Sequence, residues 1–267
     1  MTRRLLAASA LMAGFARGET SQDRGKNIID RAIAALGGPN FLAMQDRVEM
    51  GRLYSFYREE LSGLSIARIY TRYVPAPRPP TPGFFGIQER ESFGKKKEDS
   101  AILFTDGNGY DLTYRGVRPL ADALVERYKV STLHNIFYIL RQRLGEPGLQ
   151  FDSKGRDVVE NQPVEILEVV DRENRSVTVY LNSDTFLPAK QRFYRRDPVT
   201  KDRVEEITRF SKYRDVGNGV MWPFDLQRER DGEKIFELYA DSVTNGNHLK
   251  DSLFVLPSGM KILKKEL

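Results

Sequence analysis

The sequence predicts an α+β fold, one large antiparallel β-sheet with a helical cover. Three observations carry that expectation. Apolar residues recur at helical spacing in two regions only, residues 23–36 and about 119–144. From Val48 the period falls to two. After Gly148 the chain becomes a run of short candidate strands and short turns. Such connections leave only antiparallel pairing, because a parallel crossover needs a dozen or more residues.

Taken in order, Ile28, Ile29, Ala32, Ile33 and Leu36 form one apolar helix face, and Gly37-Gly38 ends it. Pro39 opens a short turn through Met44. Val48, Met50, Tyr54 and Phe56 share parity and predict a strand with that face buried. Residues 64–74 make a second strand. Residues 75–82 hold five prolines in eight positions, which suits an exposed loop. Residues 89–99 are charged, and strand character resumes only near Ile102, Leu103 and Phe104. Asp106-Gly107-Asn108-Gly109 is a turn signal.

The second helical region is expected as two helices. Pro119 fits the first turn of one running to about Tyr128, and Ser131 or Thr132 caps another through Leu144. Leu133, Ile136, Phe137 and Leu140 form its apolar stripe, with Arg141 and Arg143 suited to its C-terminal end. Strands are then expected at 164–170, 177–181, 187–194, 204–213, 220–230 and 235–243, which is a meander. No linker or fixed-period repeat divides the chain, so residues 19–267 are expected as one domain.

Residues 1–18 read as a signal peptide. Arg3-Arg4 precede an uncharged run from Leu5 to Ala16, and small residues stand before Glu19. An exported, periplasmic protein is the expectation. Taking Arg3, Arg4 and Arg17 from the 42 basic residues leaves 39 against 37 acidic ones, too small an excess to argue for nucleic acid. With no cysteine, disulfides, thiolate metal sites and a catalytic thiol are excluded.

Chemistry-bearing motifs are equally sparse. His134 and His248 stand far apart without partners at ligand spacing. No Gly-x-Ser-x-Gly elbow or phosphate-binding glycine loop occurs. The run 106–117 resembles a calcium loop but has Asp111 where the glycine belongs and Val117 where the closing glutamate belongs. Glu205 and Glu206 point to opposite faces of a strand and read as solvated charges. Lysine clusters at 95–97 and 261–265 read as a solvated loop and tail, with anionic lipid headgroups as the other possible partner. No enzyme, cofactor or metal site is expected.

Several turn and packing positions have a familiar pattern. Val179-Tyr180-Leu181-Asn182, Thr185 and Leu187-Pro188 resemble a strand–turn–strand typical of the periplasmic outer-membrane lipoprotein-sorting proteins and their LolA-like relatives. Val216-Gly217-Asn218-Gly219-Val220-Met221-Trp222-Pro223 is similar to that family's glycine turn and strand entry. Asn247, Asp251, Phe254 and Pro257 resemble its closing segment. The resemblance implies an incomplete β-barrel, a large curved antiparallel sheet with helices covering the concave face. It also implies a hydrophobic ligand in that hollow (a lipid or an acylated protein) and contact with envelope membrane proteins. The classical carriers use a cavity arginine; Arg52, Arg68 and Arg72 are strand arginines here, and no pattern singles one out.

On that reading Leu133, Ile136, Phe137 and Leu140 line the cavity from the helical side, and Tyr54, Phe56, Trp222 and Phe236 line it from the sheet. The same residue types would also fill a solid core. A packed protein–protein interaction or stress-sensing module is the alternative.

Overall fold

A computed structural model describes residues 19–75, 85–94, 99–197 and 200–265. The expected signal peptide, most of the proline-rich stretch and the lysines at 95–97 lie outside them. The first helix, α1 (Ser21–Leu36), begins at a reciprocal cap between Thr20 and Asp23 and ends at Gly37, whose φ of 118° suits glycine. A short α2 (Pro39–Ala43) follows. Six strands come next: β1 (Asp46–Tyr57), β2 (Glu60–Tyr73), β3 (Ile87–Phe93), β4 (Ser100–Thr105), β5 (Asn108–Thr113) and β6 (Gly116–Pro119). Then come α3 (Asp122–Leu133) and α4 (Ile136–Tyr138), the latter running into a π-helical turn (Ile139–Arg143). Seven strands complete the sheet: β7 (Gln150–Val159), β8 (Gln162–Val170), β9 (Ser176–Asn182), β10 (Pro188–Arg196), β11 (Arg203–Asp215), β12 (Met221–Arg230) and β13 (Glu233–Asn245).

The described residues form one antiparallel sheet of thirteen strands in the order β6-β5-β4-β3-β2-β1-β13-β12-β11-β10-β9-β8-β7. Two meanders thus meet at a β1–β13 seam, where Val48 faces Thr244 and Leu53 faces Leu238. The sheet curls but does not close. The chain leaves one edge at β6 and re-enters at the opposite edge, β7, so its connection must cross the concave side. That connection is α3, α4 and the π turn.

Four details depart from the expected elements. The charged stretch expected at 89–99 begins inside strand β3, and β5, β6 and β7 are strands the pattern did not suggest. Pro119 ends β6 and does not start a helix. Ser131 and Thr132 lie inside α3, where the Thr132 hydroxyl donates to the Tyr128 carbonyl. The break comes at Asn135, whose side chain accepts from the Phe137 and Tyr138 amides and caps α4. Gln191 takes the Ile136 amide at 3.0 Å, tying that cap to β10.

Both sheet edges are covered. On β6, Val117 donates to Lys261 and accepts from Leu263, so the C-terminal segment blunts that edge. The same segment buries Phe254 with Leu103, Leu112 and Val117 on the outer face. On β7, α1 lies so close that a Cβ on Gly25 would stand 2.1 Å from the Phe151 carbonyl oxygen. Helix propensity alone favours alanine over glycine by about 1 kcal/mol. Gly25→Ala is nevertheless expected to lower stability by about 2 kcal/mol or more, read from urea unfolding, because the backbone of β7 must move.

The core fills half of the concave side. Ile29, Ala32 and Leu36 of α1 pack with Phe41, Ile136 and Leu140 against Leu167, Val179 and Leu181 of β8 and β9. The other half, over β1–β4, β12 and β13, is different.

Candidate functional site

There a hollow of about 390 Å³ lies between the sheet and α3. Its apolar wall includes Ile69, Ile87, Ile102, Phe104, Trp222, Leu226, Phe236 and Leu238. Helix α3 roofs it with Leu124, Arg127, Tyr128, Ser131 and Thr132, yet none of the helix's residues is buried. The Tyr128 ring stacks on Phe104 at 3.7 Å between centroids. A roof held by so little buried apolar surface belongs to the low-stability end of a structure.

The floor is charged. In register across the strands, Arg47, Thr71, Glu89 and Phe104 form one row, and Glu49, Ile69, Glu91 and Ile102 form the next. All of these except Thr71 line the hollow. The Arg47 guanidinium donates to Glu49 at 2.8 Å, to the Tyr73 hydroxyl at 2.9 Å and to Thr71 at 3.1 Å. It also lies 4.0 Å over the Trp222 ring, whose indole N–H donates to the same Glu49. Burial alone would lower the Arg47 pKa, but Glu49, Tyr73 and Glu89 raise it above the ordinary arginine value. Arg47 is therefore a permanent, fully bonded charge in the wall.

Glu89 and Glu91 are less well satisfied. Glu89 accepts from the Thr71 hydroxyl at 3.3 Å. Burial pushes its carboxyl up. Burial, and then the Glu89 charge, push the Glu91 carboxyl up to about 7. A carboxyl whose folded pKa exceeds its unfolded value costs stability as pH rises between the two. With an unfolded value of 4.5 and a folded one of about 7, Glu91 contributes such a loss from about pH 5 to pH 8. Relative to wild type, Glu91→Gln is expected to gain on the order of 2 kcal/mol over that window, read from urea unfolding at both pH values. Equal wild-type and variant slopes would show Glu91 to be solvated.

The expected site residues are placed as follows. Phe137, Trp222 and Phe236 line the hollow, with Phe137 and Trp222 ring centroids 4.6 Å apart. Ile136 and Leu140 are wholly buried in the packed half and do not reach it. Leu133 is the last residue of α3 and does not line it either. Tyr54 and Phe56 are on the other face of β1, Tyr54 edge-on to Tyr239 at 5.9 Å and Phe56 under Lys234 at 4.4 Å. The parity expected for β1 is thus reversed. Arg47, Glu49 and Leu53 point in, while Met50 is exposed. The reason is Arg47–Glu49: paired and hydrogen-bonded charges can be buried where lone ones cannot.

The arginine buried in the wall of the hollow is Arg47 and none of the three strand arginines considered from sequence. Arg72 instead pairs with Asp251 and covers Phe254 on the outer side. The residues missed are Arg47, Glu49, Glu89, Glu91, Arg127, Tyr128 and Arg228. Their available signal was Arg47-x-Glu49 and Glu89-x-Glu91, charges two apart that share a strand face. Glu206, read as solvated, is also buried, beside Arg195 and Arg230.

No helix among the described residues is long and apolar enough to cross a membrane. No group of metal-binding side chains occurs among them.

No protein-family model and no curated protein matches the chain. Solved structures do. An outer membrane lipoprotein-sorting protein domain from Vibrio parahaemolyticus aligns at TM-score 0.56 and 13% identity, over 87% of this chain and 97% of that one. A DUF1329 family protein from Desulfovibrio piger aligns at TM-score 0.56 and 14% identity, over 86% and 97%. A LolA superfamily protein from Nitrosomonas europaea gives 0.54 and 13%, over 86% and 97%. At such identities the likeness speaks for architecture, and it agrees with the strand order and the unclosed curl. The chain has a LolA-like fold, the incomplete barrel of the lipoprotein-sorting proteins.

Proposed function

We propose that the protein is an exported, non-catalytic binding or carrier protein for a ligand with a large apolar part, such as a lipid or the acyl chains of a lipoprotein. The observation that carries this is the hollow under α3. Its volume of about 390 Å³ lies within the range of small-molecule sites, and most of its lining is aliphatic or aromatic. Carriage of such a ligand needs no reaction. Each acyl methylene left in water costs about 0.8 kcal/mol, so enclosure beneath a movable helix is itself the useful work. Release requires only that α3 swing away, which its lack of buried residues favours.

The packed half of the interior favours the second reading, an envelope interaction module, to the extent that α1 and α4 leave no space there. One experiment separates the two. The purified protein is titrated with an apolar fluorescent probe, alongside Ile69→Trp, which puts an indole into the middle of the wall. Wild type is expected to bind and the folded variant to bind at least tenfold more weakly. Equal affinity would place the probe elsewhere, and no binding by either would favour the interaction module.

A further inference from the structure

The floor of the hollow holds more carboxyl groups than the described residues pair. Glu49 is occupied by Arg47 and Trp222, and Arg47 by Glu49, Tyr73 and Thr71. What remains is Glu89, with one hydroxyl donor, and Glu91, which among the described residues has no hydrogen bond or ion pair and feels only the more distant charge of Arg228. They stand two apart on β3 and therefore on the same face. A third group faces the same space from the roof. The Tyr128 hydroxyl is buried with no hydrogen-bond partner at normal distance, the Thr132 side chain being the nearest candidate, and the charges of Glu89 and Glu91 both act on it. Among the described residues the Tyr128 hydroxyl is an orphaned polar group of a kind rare inside proteins, and the half-buried carboxyls of Glu89 and Glu91 open into the same hollow.

We propose that the hollow binds an amphiphile bearing an ammonium group, with its chain along Ile69, Ile102 and Phe236 and its nitrogen among Glu89, Glu91 and the Tyr128 hydroxyl. A primary ammonium has three donors and no acceptor, so it can give one to each carboxylate and one to the hydroxyl. Charge-assisted bonds of this kind are the strong ones. The hollow's other free charges are placed differently. Arg228 lies over the Phe236 ring at 5.3 Å, from where its charge partly offsets Glu89 and Glu91 without a hydrogen bond to either, and Arg127 is on an exposed position of the roof. An anionic head would have to settle on those two and leave the two carboxyls and the hydroxyl as they are.

The inference rests on the apolar-ligand reading, and its test keeps the two apart. The apolar probe is displaced from the full protein at pH 8 by dodecylamine, dodecanol or dodecanoate, each kept below micelle formation, and by a single-chain phosphoethanolamine lipid. Dodecylamine is expected to displace at a concentration at least tenfold below dodecanol, with dodecanoate weaker still. In Glu89→Gln/Glu91→Gln the amine's advantage is expected to vanish while dodecanol is unchanged, which also reports that the variant folds with its hollow intact. Equal strength of amine and alcohol, or an advantage that survives in the double variant, overturns the proposal and leaves the apolar reading standing. Preference for dodecanoate, lost in Arg228→Gln, overturns it in favour of an anionic head. Failure of every compound, with no probe bound at the outset, removes the apolar reading itself. If the phosphoethanolamine lipid matches or exceeds dodecylamine, the ammonium belongs to a lipid headgroup; if only dodecylamine works, it belongs to a simple alkylamine. Either result supports the ammonium site.

Discussion

Arg47→Met is expected to cost about 3–5 kcal/mol of folding stability, one of the two largest single effects in the molecule. The substitution keeps much of the length and all of the apolar character of the stem, so what is lost is the guanidinium. Glu49 would then be buried with the Trp222 indole as its remaining donor, beside Glu89 and Glu91. The Tyr73 hydroxyl would lose its donor, and the Trp222 ring the cation over its face. Arg47→Met/Glu49→Gln removes both charges of the pair and is expected to recover about half of the loss, since breaking one side of a buried pair costs more than removing both. Urea unfolding of the three proteins measures this directly. A loss under about 1 kcal/mol in the single variant would mean that water reaches the pair and that the wall is softer than its hydrogen bonds imply. The cost also bears on binding. Arg47 holds β1 and β2 together through Thr71 and Tyr73, and β2 pairs Thr71 with Glu89 and Ile69 with Glu91.

Legibility in the sequence followed the physics of each region. The α1 stripe from Ile28 to Leu36 and the strands from β8 onward were readable because their inward residues are apolar and the packed half has no polar occupant to accommodate. Val164, Leu167, Val169, Val177, Val179 and Leu181 are all buried there. Over the hollow the same rule misled. Hydrophobic parity assigned Val48, Met50, Tyr54 and Phe56 to the interior of β1, whereas the buried residues are Arg47, Glu49 and Leu53. It passed over β3 because Glu89 and Glu91 made that stretch look solvated. A strand that borders a binding space is freed from the demand for apolar side chains, so its pattern says less about which face is inward. Two of the misread strands, β1 and β3, carry the charged floor of the site. Boundaries in the helical crossing failed for a different reason. Ser131, Thr132 and Asn135 are all capping residue types, and only the tertiary bond from the Ile136 amide to Gln191 selects the last of them.

Asp171→Asn is expected to cost about 3 kcal/mol and to loosen the roof of the hollow at a distance. Asp171 is buried at the end of β8, where it accepts from Arg143 and Arg175, both at 2.7 Å, and from the backbone amides of Glu173 and Arg175, both at 3.0 Å. Arg143 is equally buried and reaches on to Glu146 and to the carbonyl of Leu133 at 2.9 Å. One carboxylate thus links a sheet turn, the π turn and the C-terminal end of α3. Asparagine keeps an acceptor for the two amides but offers the guanidinium groups no charge, and Glu146 remains as a partial substitute for Arg143. Burial acts to raise the Asp171 pKa, but the bonds from Arg143 and Arg175 outweigh it and hold the carboxyl below its ordinary value. Its contribution is therefore fully present above the unfolded value of 3.8 and is lost as pH falls through the lower folded one. The stability difference between wild type and Asp171→Asn should accordingly be constant from pH 5 to 8 and shrink below pH 4. Hydrogen exchange locates the effect. Amides of α3, α4 and the π turn should exchange faster in the variant, while those of α1, which packs on β7 and β8, keep their protection relative to global stability. Uniform acceleration across the chain would show Asp171 to act on the whole fold. Acceleration confined to the crossing would show that the helix roofing the hollow can be released independently of the sheet beneath it, which is what a carrier of an enclosed ligand requires.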